Sequence, residues 1–131
     1  MVGPHFKQLC RQFALREGIR LFDGLPAEVA AGAVPDPANR TRIQVDVVVL
    51  APAEPGRRRT VLSLGEVKWG KAMDPRHLHR LRRARDLLSA RGYDTSQTVV
   101  ACYGGEGFDP ELRQQAGRER LAPIGVEELY G

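Results

Sequence analysis

Two apolar runs, IQVDVVVL and TVLSLGEVKW, flank a polar loop from Ala51 to Arg59 that is rich in Pro, Gly and Arg. Together they read as a β-hairpin spanning Gln44 to Trp69. Alternation places Gln44, Asp46, Val48 and Leu50 on one face of the first strand and Ile43, Val45, Val47 and Val49 on the other. Apolar residues on both faces predict a central strand covered on both sides. In the second strand Leu62, Leu64, Glu66 and Lys68 share one face, and Val61, Ser63, Gly65 and Val67 the other. Asp46, Glu66 and Lys68 therefore interrupt apolar runs. Burying a charge is costly unless it is paired or bound to a metal, so the hairpin either exposes a face or holds a site.

The rest of the chain supplies helices to cover that sheet. Phe6, Leu9, Cys10 and Phe13 fall at helical spacing within a helix from His5 to Phe22, with Pro4 suited to its first turn. Leu25 to Val34 carries a weak pattern and is read as a short strand. Asp74-Pro75 opens a helix to about Arg91, with Gly92 as its stop signal. Its inner stripe is Leu78, Leu81, Ala84 or Arg85, and Leu88. Thr98 to Tyr103 is a third apolar strand. Asp109-Pro110 starts another helix through about Arg120, and Ala122 to Val126 is a last short strand before a closing turn from Val126 to Tyr130. Helix, three strands, helix, strand, helix and short strand predict an α/β fold: one central mixed sheet flanked by helices.

A length of 131 residues fits one domain with its own core. The chain lacks an apolar run long enough for a membrane span. Cys10 and Cys102 have neither CxxC spacing nor a His pair, which argues against zinc and suits a reducing cytoplasm. Charge is uneven. Arg57 to Arg85 holds ten basic and two acidic residues, whereas the remainder holds ten and fourteen. Such asymmetry favours a polyanion, nucleic acid first, although a solvated helix face and a basic turn would look alike. Arg57, Arg58, Arg59, Lys71, Arg76, Arg80 and Arg83 are the candidate phosphate contacts.

If the two strands are neighbours, Asp46 and Glu66 can reach one divalent ion, because adjacent strands lie about 4.8 Å apart. Mg²⁺ is typically held by one or two carboxylates and keeps several waters. Asp46 and Glu66 are then the metal ligands, and Lys68 steadies the attacking water or the charge developing on phosphorus. Asp46 could instead be a structural acid paired with Arg42 or Lys68, and Glu66 and Lys68 a solvated strand end. Trp69 reads as packing. His77 and His79, two apart on a helix, do not share a face. Gly65 to Ala72 matches GxxxxGK, but Ala72 lacks the hydroxyl that a phosphate loop needs next.

In these residues the chain resembles the PD-(D/E)XK nuclease superfamily, with Val45-Asp46 on one strand and Glu66-Val67-Lys68 on the next. More narrowly, it resembles the nuclease-like C-terminal domain of prokaryotic AAA-type ATPases of the archaeal kind. Gly3, Phe6, Leu9-Cys10-Arg11, Val45-Asp46-Val47-Val48, Gly65-Glu66-Val67-Lys68-Trp69, Gly107-Phe108, Glu111-Leu112 and Leu129-Tyr130 carry that likeness. It implies a restriction-endonuclease-like α-β-β-β-α-β core, Mg²⁺ or Mn²⁺ as cofactor, and hydrolysis of DNA phosphodiesters. The implied partners are DNA, an N-terminal ATPase region of the same or a partner chain, and a second copy in a homodimer. The domain would then be a piece of a longer ATPase chain, in keeping with a helix that begins almost at Met1. Two positions depart from the pattern: Lys7 stands where the relatives carry a helical acid, and Gln44 where they carry an acid before the strand Asp. Those departures point to weaker metal binding or to a non-catalytic nucleic-acid-binding or regulatory module. A protein-interaction domain with a basic face is a third reading.

Overall fold

The computed structural model describes residues 4–68, 75–105, 108, 110–116 and 120–130. The elements in chain order are α1 (Pro4–Phe22), β1 (Glu28–Asp36), a 3-10 turn (Pro37–Asn39), β2 (Thr41–Leu50), β3 (Val61–Lys68), α2 (Pro75–Ala90), β4 (Val99–Gly104), α3 (Pro110–Ala116), β5 (Leu121–Gly125) and α4 (Val126–Tyr130). The strands form one five-stranded sheet in sequence order. β1, β2 and β3 pair antiparallel, while β4 and β5 run parallel to β3. β3 is thus the seam between a meander and a crossover half, which requires a helix between its parallel strands.

The sheet is covered on both faces. On one, Phe6, Cys10 and Phe13 of α1 pack with Val47, Val49, Val67, Ala101 and Tyr103. On the other, Leu78, Leu81 and Ala84 of α2 pack with Ile43, Val45, Leu64, Val100 and Cys102. The side chains of Val45, Val47 and Val49 are wholly buried, as a strand covered on both sides requires. Two hydroxyls tie β3 to the β4 segment from inside: Ser63 Oγ donates to the Val99 carbonyl at 2.8 Å and Thr98 Oγ1 to the Val61 carbonyl at 2.6 Å. Both cysteines are free and buried, and burial pushes each thiol up to about 12.

Simple alternation fails at two places. Val45 and Val47, expected to share a face, pack on opposite faces of the sheet. The cause is a register shift: Gly32 pairs with Val45 and Ala30 with Val48, so Asp46 and Val47 together oppose one residue of β1. A bulge of this kind re-aims the side chains beyond it. A second shift, between Val49↔Ser63 and Leu50↔Val61, separates Leu62 and Leu64 in the same way.

Three boundaries also differ from the sequence reading. α3 spans Pro110–Ala116 and Arg120 is not helical, where the sequence predicts a helix through about Arg120. The first strand runs Glu28–Asp36, not Leu25 to Val34, and most of its side chains are at least partly exposed. An edge strand with little to bury carries little apolar pattern. The closing turn is the short helix α4. Gly92, at φ 99°, follows α2 in the left-handed region and ends it as expected. Asp74 and Asp109, the expected helix caps, lie outside the described residues, as do Gly3, Trp69 and Gly107.

One buried acid braces the edge. Asp36, at the end of β1, accepts from Arg83 Nη2 at 2.9 Å, from Arg83 Nε at 3.3 Å and from Asn39 Nδ2 at 2.8 Å. These hydrogen bonds, Arg83 first, lower its pKa to about 2.

Candidate carboxylate site

The site lies where β2 and β3 part. Their ladder runs from Leu50↔Val61 to Val47↔Gly65. Beyond Val47 the main chain finds other partners. The Asp46 carbonyl accepts from Arg11 Nη1 of α1 at 3.2 Å, and the Val67 amide donates to Asp46 Oδ2 at 2.9 Å. A carboxylate thus takes the place of a ladder carbonyl, which satisfies a buried amide that would otherwise be costly. The bulge at Asp46 is what turns this side chain toward β3.

The other carboxylate oxygen faces α1. Lys7 Nζ lies 3.2 Å from Asp46 Oδ1, with the acid side chain 12% exposed and the lysine 38%. Lys7 and Arg11 are four apart on α1 and so lie on one helix face. Both reach Asp46, one through its carboxylate and one through its carbonyl.

Glu66 immediately precedes the amide that binds Asp46 and points toward α2. Its Oε1 lies 3.1 Å from Arg80 Nη1. Its Oε2 is buried without a hydrogen-bond partner among the described residues. Burial raises the Glu66 pKa first; Asp46 pushes the same way, while His77, Arg80 and Lys68 oppose it. Lys68 follows two residues along β3 and is half-buried. Asp46, Glu66 and Lys68 therefore share one end of the β2–β3 pair, as strand adjacency requires.

Among the described residues, the candidate phosphate contacts do not form one cluster. Arg80 is drawn onto Glu66. Arg83 forks onto Asp36 and braces β1 against α2. Arg76 stands exposed in the first turn of α2. Arg57, Arg58 and Arg59 precede β3, separated from Glu66 by ~20 Å of extended chain at about 3.3 Å per residue. Arg59 Nε there donates to the Ala51 carbonyl at 2.7 Å. Lys71 lies outside the described residues.

Sequence reasoning passed over Arg11 and His77 as neighbours of the pair; the resemblance put Lys7 at the site, in the place of a helical acid, without foreseeing its ion pair with Asp46. The signal for the first was available in the i, i+4 spacing of Lys7 and Arg11; His77 carries no such signal. Among the described residues, no group of three or more His, Cys, Asp or Glu side chains gathers as a metal cage.

Tight packing supports the site from behind. A Cβ on Gly65 would lie 2.6 Å from Tyr103 Cε2 and 3.2 Å from the Ala101 carbonyl oxygen. Tyr103 is wholly buried in the α1-side core, and its hydroxyl has no partner among the described residues. Glycine at 65 lets that ring lie against β3 one residue before Glu66.

No family model and no curated protein matches this chain. Among solved structures, the MspJI restriction endonuclease in complex with a 27-mer oligonucleotide is similar over 95% of this chain, with a TM-score of 0.52 and 15% sequence identity. The chain spans 26% of the length of that protein. The similarity is one of fold. This chain has a restriction-endonuclease-like α/β fold, with a mixed five-stranded sheet flanked by helices.

Proposed function

We propose that this domain hydrolyses DNA phosphodiester bonds with the help of a divalent cation held by Asp46 and Glu66. The observation that carries the reading is the buried Oε2 of Glu66, an acceptor without a partner among the described residues, beside a second carboxylate where two strands separate. A buried carboxylate oxygen of this kind calls for a proton or a cation. Two carboxylates suit Mg²⁺ or Mn²⁺, which also take oxygens from water and phosphate. The cation would supply Lewis-acid polarisation of the phosphoryl group and acidify a bound water.

The protein's own residues do the remainder. Asp46 is held by the Val67 amide, so its position does not depend on a ligand. Lys68, two residues after Glu66 on β3, stabilises charge developing on the phosphate oxygens. Arg80 and Lys7 neutralise the acids in the free protein, and an incoming phosphate offers both cations an alternative anion. Exposed Arg76 adds a phosphate contact from the first turn of α2. The uneven basic charge of the chain and the oligonucleotide bound to the endonuclease of similar fold both support DNA as the polymer. The test is plasmid nicking with Mg²⁺ or Mn²⁺. Cleavage abolished by EDTA and by Glu66→Ala is expected; no cleavage with either metal would sink the catalytic reading.

A second reading rests on the ion pairs themselves. Lys7 and Arg80 leave each acid already matched to a cation, as suits a non-catalytic DNA-binding or regulatory module attached to an AAA-type ATPase. That module would bind DNA in a salt-sensitive manner. Charge reversal at Arg76 and Arg80 would weaken binding, and Glu66→Ala would leave it intact.

A further inference from the structure

Asp46 is gripped from two different elements. Its Oδ2 accepts from the Val67 amide of β3 at 2.9 Å, and its carbonyl accepts from Arg11 Nη1 of α1 at 3.2 Å. The residue is only 8% exposed, so water is a poor substitute at either contact. The second grip falls on the bulge, where Asp46 and Val47 together oppose one residue of β1. A bulge locally disrupts the ladder. The β2–β3 ladder also stops at Val47↔Gly65, one residue short of Asp46. A helix side chain thus supplies a main-chain donor at the point where regular strand pairing gives out.

Lys7 and Arg11 share a face of α1 and both reach Asp46, but the contacts differ in kind. Lys7 Nζ lies 3.2 Å from Oδ1, the oxygen that Val67 does not use, and offers the carboxylate a charge. Arg11 binds the main chain and so fixes the point from which the carboxylate projects. Gln8 Oε1, one turn earlier, accepts a long hydrogen bond from Arg11 Nη2 at 3.5 Å. A planar guanidinium can serve two acceptors in fixed directions, which a flexible ammonium does less well. A bulge that loses its anchor relaxes toward regular pairing, and a slip of one residue turns a strand side chain to the other face. Such a slip would carry the Asp46 carboxylate away from Val67.

We infer that Arg11 is a positioning residue for the carboxylate site: it pins the bulge at Asp46 and so aims that carboxylate at β3. The anchoring rests on the two hydrogen bonds; its effect on cation binding rests on the reading of Asp46 and Glu66 as the cation-holding pair. Two cations of one helix face then act in opposite senses. By charge alone, loss of either Lys7 or Arg11 would tighten cation binding. With Arg11 as the anchor, its loss weakens that binding.

The test compares Arg11→Met, Arg11→Lys and Lys7→Gln with the wild-type chain, each checked for folding by its amide NMR spectrum. Hydrogen exchange at the Val67 amide reads the Asp46 contact without metal. The Val61 and Val100 amides, bound to the Asp94 and Arg120 carbonyls, serve as references, because global destabilisation speeds all three together. Arg11→Met is expected to speed exchange at Val67 about tenfold over the references. Arg11→Lys, which keeps a donor, is expected to fall between Arg11→Met and wild type, and it carries the comparison if Arg11→Met does not fold. Lys7→Gln is expected to leave Val67 unchanged. Electron paramagnetic resonance of free Mn²⁺ is expected to show binding about tenfold weaker in Arg11→Met, partly restored in Arg11→Lys, and tighter in Lys7→Gln. Exchange at Val67 that is unchanged, or accelerated only as much as the references, overturns the anchoring. Tighter Mn²⁺ binding in Arg11→Met overturns the positioning role in favour of charge alone. Absence of Mn²⁺ binding by the wild-type chain overturns the cation-holding pair and Arg11's part in it, whereas selective acceleration at Val67 still supports the anchor.

Discussion

The ammonium of Lys7 lies 3.2 Å from Oδ1 of Asp46, on the side of that carboxylate away from the Val67 amide. A fixed monovalent charge thus sits beside the acid proposed to hold a divalent one. Both cannot have that oxygen at full strength. Lys7→Gln is expected to tighten Mn²⁺ binding about tenfold, the order expected for losing a partly screened charge at this range. Lys7→Glu is expected to tighten it further. Electron paramagnetic resonance of free Mn²⁺ reads this without any nuclease assay, and unchanged affinity in both variants would count against competition between Lys7 and the cation.

Asp46 has a structural duty that can be separated from its charge. Asn at this position keeps an oxygen for the Val67 amide, whereas Ala leaves a buried donor unsatisfied. Asp46→Ala is expected to lose about 1–3 kcal/mol more stability than Asp46→Asn in urea denaturation. Both are expected to lose Mn²⁺ binding. Equal stability of the two variants would show that water or another group takes over the amide.

Gly65→Ala is expected to destabilise the fold by about 1–3 kcal/mol, because the new methyl meets the Tyr103 ring and the Ala101 carbonyl. Relief by Tyr103→Leu in the same chain would trace the effect to the ring. If Gly65→Ala melts at the wild-type temperature, the ring has room to move.

The Asp36–Arg83 pair sets an acid limb. The folded-state pKa of Asp36, about 2, lies below the ordinary carboxylate value of 3.8. Its contribution to stability is therefore complete above the ordinary value and lost as pH falls through the window from about 4 to about 2. Asp36→Asn is expected to be less stable at neutral pH and to show a flatter stability profile in that window. An unchanged profile, followed by denaturant titration at several pH values, would remove Asp36 from the acid response.

Much of this could be read from residue patterns, and the parts that could not have common physical causes. β2 and β3 were legible because both are buried and strongly apolar. β1 was faint because an edge strand with exposed side chains needs no such pattern. Face assignments failed at Asp46–Val47 and at Leu62 because a bulge is set by the partner strand, which local alternation does not contain. That Asp46 and Glu66 lie at the same end of the β2–β3 pair followed from strand adjacency; that Asp46 turns to Lys7 of α1 and Glu66 to Arg80 of α2 did not. The contact from Lys7 spans 39 positions and depends on how α1 crosses the sheet. Arg57 to Arg59 looked continuous with the α2 arginines as a run of charge, but an eight-residue strand stands between that loop and the carboxylate end.

The place of β3 between an antiparallel and a parallel half has a kinetic consequence. Its partners in β2 lie just across one loop, whereas Ser63 meets Val99 across 36 residues and a crossover helix. Local closures cost less chain entropy, so the β1–β2–β3 meander is expected to order first and β4–β5 afterwards. Substitutions at Val47 and Val49 should then slow folding, and substitutions at Val100 and Ile124 should chiefly speed unfolding, a partition that stopped-flow kinetics would reveal or refute. On that route Asp46 and Glu66 come together in the nascent sheet before α2 delivers Arg80. Glu66 would then spend part of every folding event without its arginine, so a divalent ion present during folding could reach it ahead of Arg80.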